Sequence, residues 1–243
     1  MSLTKAIRIL IACSLLALTA CGERSSDYGR PDKSRQQPVE LILLENGLPD
    51  PAVLADEQLV RRGNGEEPET LDPHQAVGVS ASHILRDLFE GLINESPDGK
   101  VIPGAALRWN ISRDARTYTF YLRRDLEWSN GDPLTAEDFV FSLRRAASPE
   151  TASNAANMLL PILNAREVLA GELPAEELGI SLLDDFTLQI TLTGPTPYFL
   201  GLLTHPVAYP VNRKNVEEFG DQFSRPGNLV SNGAYTLIGW RPR

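Results

Sequence analysis

The stretch Trp128-Ser129-Asn130-Gly131-Asp132-Pro133-Leu134-Thr135-Ala136-Glu137-Asp138-Phe139-Val140 decides how the chain is read. Its first half is a loop, because Ser129 to Pro133 gathers residues suited to tight turns. Its second half starts a helix. Thr135 followed by Asp138 has the form of a capping box, with Asp in place of the stronger Glu or Gln. The helix then directs Phe139, Val140, Leu143 and Ala147 toward a core, and Trp128 is also read as core. Before it, Thr117 to Leu122 alternates, with Tyr118, Phe120 and Leu122 on one side, as a half-buried strand does. Further upstream, Ile84, Leu85, Leu88, Phe89 and Leu92 have helical spacing, with Ser80 or Ser82 as the cap and Pro97-Asp98-Gly99 as a turn beyond. Gln58 to Arg62 reads as a first strand closed by Asn64-Gly65. Downstream, Asn154 to Gly171 is helical but broken or kinked at Pro161. Ile180–Leu183 and Thr187–Leu192 form a hairpin about Asp184-Asp185. Tyr198 to Leu203 is a short apolar segment, Asn212 to Phe219 a short helix, and Ala234 to Trp240 a last strand after the Asn232-Gly233 turn. This mixed order predicts an α/β or α+β domain.

The N-terminus carries a different signal. Lys5 and Arg8 precede an apolar run from Ile9 to Leu18, about ten residues, the size of a signal-peptide core. A permanent span needs roughly twenty. The run ends in Leu18-Thr19-Ala20-Cys21, which resembles the lipobox of bacterial lipoproteins. That resemblance implies cleavage before Cys21 and attachment of diacylglycerol to its thiol. The alternative is a plain secretory signal with an accidental cysteine. Cys13 is read as apolar filler. Gly22, rather than Asp, follows the cysteine, which by the usual sorting pattern points to the outer membrane rather than the inner. Gly22 to Pro38 is polar and aperiodic, a tether. The short Leu41–Leu44 run has no assigned role. The expected divisions are a signal peptide over 1–20, a lipidated cysteine and tether over 21–57, and a folded domain over 58–243.

Composition narrows the function. The chain has 243 residues, 42% hydrophobic and 23% charged, with a formal net charge of −9. Phosphate backbones repel such a protein, so nucleic acid is not an expected partner. Both cysteines lie within the first 21 residues, leaving the folded part without a thiolate metal site or disulfide. His74, His83 and His205 lack ligand spacing, so no metal and no other cofactor is expected. Gly78-Val79-Ser80-Ala81-Ser82 begins like a nucleophile elbow but lacks the last glycine. Gly63-Asn64-Gly65 lacks the third glycine of a dinucleotide loop. Without a catalytic constellation, a binding protein is favoured over an enzyme. The competing enzyme reading is a lipoprotein hydrolase.

From about Leu59 to Trp240 the chain resembles the peptide-binding proteins of ABC importers, family 5 of the extracytoplasmic solute-binding proteins. The carriers are Asn64-Gly65 with Glu69-Thr70-Leu71-Asp72-Pro73-His74, Arg86-Asp87-Leu88-Phe89-Glu90-Gly91-Leu92, Tyr118 to Arg123, the opening stretch, Pro197-Tyr198-Phe199, and Asn232-Gly233-Ala234-Tyr235. The Leu-Asp-Pro-His form, and Pro197-Tyr198-Phe199 followed by His205-Pro206, point to the oligopeptide branch. The resemblance implies a type II-like periplasmic binding fold whose two lobes close on a peptide held through its main chain as an added strand. It implies an ABC permease as partner, and Val77, Gly78 and Val79 as cleft-lining backbone. Dipeptides, murein peptides and haem are the alternative solutes. Two positions depart from the oligopeptide pattern: Val77 replaces an acidic residue and Ala155 an aromatic one. The chain reaches Arg243 at less than half the family's usual extent, so it is expected to be a truncated form holding part of the first lobe only, and to bind peptide poorly.

Overall fold

The structure is a computed structural model and describes residues 59–241. The expected signal peptide, Cys21, the tether and the Leu41–Leu44 run lie outside the described residues. From Arg62 onward the chain forms one compact unit.

The loop and helix of the opening stretch form as expected. Gly131 takes a positive φ of 84°, its N–H donates to the Trp128 carbonyl (2.8 Å), and the Trp128 N–H donates to that of Asp132 (2.8 Å). This closes a tight turn that glycine adopts without steric cost. Helix α2 (Ala136–Ala147) follows, capped by Thr135, whose N–H donates to the Asp138 carboxylate at 2.8 Å. Its inner face buries Phe139, Val140, Leu143, Ala146 and Ala147. That face lies on a four-stranded antiparallel sheet built from β3 (Ala106–Ile111), β4 (Thr117–Leu122), β5 (Ile180–Asp184) and β6 (Thr187–Thr191), in the order β3-β4-β6-β5. Strand β4 alternates as its sequence predicts, with Tyr118, Phe120 and Leu122 buried. Phe120 pairs with Leu188, and Tyr118 with Ile190, so two apolar rows face α2 together. Strands β5 and β6 form the expected hairpin. Burying each of Phe120 and Phe139 contributes about 2–3 kcal/mol through the hydrophobic effect. Pro161 divides its segment into a 3-10 turn, Ala156–Leu159, and helix α3 (Ala165–Leu169).

A second, smaller cluster joins Leu71, Ala76, Phe89 and Tyr209 to helix α1 (Gly78–Leu88), through Ala81, Leu85 and Leu88. A small antiparallel ladder of β1 (Ile93–Glu95) and β2 (Val101–Pro103) follows α1. Two further short α-helices, α4 (Phe199–Leu202) and α5 (Arg213–Phe219), follow the sheet, and the Asn212 side chain caps α5 by accepting from the Asn215 N–H at 3.0 Å.

Three expectations need correction. Leu59 to Arg62 form no strand; Gln58 lies outside the described residues. Instead of joining a ladder, the Arg62 guanidinium reaches α1, pairing with Asp87 and donating to the His83 carbonyl at 3.4 Å. Ala234 to Trp240 is likewise not a strand. The Gly233 and Tyr235 N–H groups donate to the Leu88 and Asp87 carbonyls (2.8 and 3.0 Å), so this segment docks on the end of α1 rather than on a neighbouring strand. Neither Ser80 nor Ser82 caps α1. Gly78, at φ 86°, lets the chain enter the helix earlier, with Val77 at the N-cap. Both serines are then within the helix, and the Ser82 hydroxyl donates back to the Gly78 carbonyl at 2.9 Å.

Candidate functional site

The segment Asp72–Val79 is built from a turn and a helix start. The Asp72 side chain accepts from the His74 N–H (2.9 Å), and its carbonyl accepts from Ala76 (2.8 Å) and Gln75 (3.1 Å). This is an Asx turn that Pro73 stiffens. Beyond it, Val77 is extended (φ −126°, ψ 153°) and 50% exposed, Gly78 opens α1, and Val79 is 69% exposed. No side chain at the N-cap bonds to α1, and the first N–H groups of a helix have no partner within it. Val77, Gly78 and Val79 therefore present main-chain groups at an accessible surface. An extended ligand backbone can pair with such groups whatever its side chains.

Behind this segment lies a polar cluster in an otherwise apolar interior. The Arg145 guanidinium, in the last turn of α2, donates through Nη1 and Nη2 to Asp72 Oδ1 (3.1 Å) and Oδ2 (2.7 Å). Its Nη1 also donates to His74 Nδ1 at 2.7 Å. A guanidinium has no acceptor, so Nδ1 accepts and the proton sits on Nε2, which donates to the Tyr209 carbonyl at 3.0 Å. Asp72 and His74 are 3% and 1% exposed. Burial lowers the His74 pKa to about 4; Asp72 opposes this and Arg145 reinforces it. His74 is thus neutral and fully paired. The Gln75 side chain donates to the Thr151 carbonyl (2.9 Å), and Asn154 to the Gln75 carbonyl (3.0 Å), tying the same turn to the loop after α2.

A second polar group closes the other end of α1. Glu90 pairs with Arg123 at 2.7 Å, and the Asn232 side chain both donates to the Glu90 carbonyl (2.9 Å) and accepts from its N–H (3.2 Å). Burial raises the Glu90 pKa, against the pull of Arg123. Its charge is met by Arg123, so it joins segments rather than offering a free acid. Among the described residues, no group of His, Cys, Asp and Glu is arranged to hold a metal ion, and no helix is long and apolar enough to cross a membrane.

Sequence reading placed Val77, Gly78 and Val79 together, and they are contiguous and exposed. It treated Asp72-Pro73 as a bend and His74 as isolated, and it missed Arg145. No local pattern joins Arg145 to Asp72, which is 73 positions away.

The antiparallel sheet covered by α2 has clear counterparts. Residues 100–243 match the family described as bacterial extracellular solute-binding proteins, family 5 Middle. The chain belongs to this family of solute-binding proteins. Among curated relatives it is 45% identical over 201 residues to the periplasmic oligopeptide-binding protein OppA of Escherichia coli (strain K12), covering 82% of this chain and 37% of the relative. It is 41% identical over 192 residues to the periplasmic murein peptide-binding protein MppA of the same organism, covering 78% and 35%. The crystal structure of Haemophilus influenzae OppA in complex with the peptide RPPGFSPFR superposes with a TM-score of 0.71 at 43% identity, covering 73% of this chain and 35% of that one. The chain thus spans little more than a third of the length of these relatives, in keeping with part of a two-lobed fold.

Proposed function

We propose that this chain contributes one wall of an extracytoplasmic peptide receptor that delivers oligopeptides to an ABC permease. The observation that carries this reading is the exposed main chain at Val77–Val79 in a chain 43% identical to a receptor solved with a nonapeptide. Val77, Gly78 and Val79 would pair with the ligand backbone. A peptide bound this way is read mainly through its main chain, which suits a receptor for many sequences. The chain alone is expected to bind weakly. Pockets of this kind bury most of the ligand surface, and one wall leaves most of those contacts unmade while the peptide still loses its conformational freedom.

The same reading covers the N-terminal region: signal peptide over 1–20, lipidated Cys21 and tether over 21–57, and the solute-binding part over 58–243. Diacylglycerol on Cys21 would anchor the protein on the periplasmic side of a membrane, with Gly22 favouring the outer one. Two acyl chains, at about 0.8 kcal/mol per buried CH₂, make such anchoring stable.

The test is a graft. Residues 62–241 replace the matching segment of the Escherichia coli oligopeptide-binding relative, and the product is screened by thermal shift against peptide, sugar and metal pools. Peptides are expected to raise the melting temperature. If peptides stabilise the parent relative but not the graft, the peptide reading fails. A murein-peptide receptor is the second reading, favoured by the 41% identity to a murein peptide-binding protein; selective stabilisation by murein tripeptide over ordinary peptides would establish it.

A further inference from the structure

We propose that Arg145, acting through Asp72 and His74, is a positioning residue for the Val77–Val79 main chain. This rests on the reading that the segment faces the ligand.

The turn Asp72–Ala76 is held by three separate parts of the molecule. Arg145 at the end of α2 grips Asp72 and His74, the Tyr209 carbonyl receives His74 Nε2–H, and the loop after α2 holds Gln75 at both its side chain and its carbonyl. The Thr151 hydroxyl in turn donates to the Arg145 carbonyl at 2.6 Å, which closes the circuit. A guanidinium fork meets a carboxylate in one plane only, so it sets direction as well as distance. The third contact of Arg145, on His74 Nδ1, then sets the imidazole tautomer and aims its other nitrogen at Tyr209.

After Ala76 this support stops. Val77 is exposed and caps α1 without a side-chain bond. The path of its backbone is therefore inherited from the turn before it and from α1 after it, and α1 packs on the cluster that includes Leu71, Ala76 and Tyr209. Apolar residues can often replace a buried ion pair without loss of stability. They would not reproduce its directionality. The buried fork is thus placed where it fixes the aim of an exposed segment.

The measurement is made on the full chain by amide NMR and hydrogen exchange, and needs no ligand. Arg145→Lys keeps the charge but loses the fork. It is expected to shift the Val77, Gly78 and Val79 amide resonances and to speed exchange at Gln75 and Ala76 about tenfold or more, while β5–β6 amides keep their rates. His74→Leu removes both ring contacts at similar volume and should act in the same way, whereas His74→Gln, which offers a donor and an acceptor, should preserve the native resonances. The proposal is overturned if both Arg145→Lys and His74→Leu leave residues 75–79 unchanged, or if they speed all protected amides alike, the signature of lost global stability. In the peptide-binding graft, Arg145→Lys should weaken peptide affinity through faster dissociation. A graft that binds no peptide at all would refute the peptide reading, and the exchange measurements would still decide the positioning role.

Discussion

Acid should weaken this fold through His74, and the size of the effect follows from its surroundings. The ring is buried and neutral, with a pKa of about 4 against 6.5 for a free histidine. Between these values the unfolded chain binds a proton at this position and the folded chain does not. A lowered histidine pKa therefore adds stability that is complete above pH 6.5 and is lost as pH falls toward 4. The shift corresponds to roughly 3 kcal/mol over the whole window. Burial also lowers the His205 pKa, with the same sign. It raises those of Glu90 and Asp138, which acts in the opposite sense as those carboxyls protonate. A bare acid titration mixes all four groups, so the measurement is a difference. Urea unfolding is followed at pH 7 and pH 4.5 for the wild type and for His74→Gln, which does not titrate. The wild type should lose about 2 kcal/mol more than the variant across this interval. If the two lose the same amount within about 0.5 kcal/mol, the account of a buried neutral His74 is wrong.

Other expectations follow from named contacts. Arg145→Met strands the Asp72 carboxylate, 3% exposed, and should cost about 3–5 kcal/mol in urea melts, most of it recovered when Asp72→Leu is added. Gly233→Ala would place a methyl 2.5 Å from the Leu88 carbonyl carbon and 2.6 Å from the Phe89 nitrogen; both are backbone atoms, so a loss of about 1–3 kcal/mol and release of residues 231–235 from α1 are expected by chemical denaturation and hydrogen exchange. Asp138→Ala removes the acceptor for the Thr135 N–H and should destabilise the domain by about 1 kcal/mol by thermal melting. Mass spectrometry of the mature N-terminus should find diacylglycerol on Cys21 and none in Cys21→Ser; an unmodified wild-type cysteine, or cleavage elsewhere, would sink the lipoprotein proposal.

Where a pattern is written in neighbouring residues, the sequence made it legible. Period-two alternation marked β4, helical spacing with Thr135 and Asp138 marked α2, and Pro161 marked a break, although β4 still needed β3 and β6 to become a strand. The family was legible in the order of many weak motifs. The expected strands at Gln58–Arg62 and Ala234–Trp240 show the limit of such reasoning. A strand exists only with a partner, and the N–H groups of Gly233 and Tyr235 found the end of α1 instead. The cap of α1 was misplaced because the positive φ of Gly78, not a serine side chain, turns the chain into the helix. The Asp72–His74–Arg145 cluster could come only from the tertiary structure. Its members are ordinary in their local sequence, and what makes them a unit is the folding that buries Asp72 and His74 side by side against the Arg145 guanidinium, with the Tyr209 carbonyl receiving the remaining ring N–H.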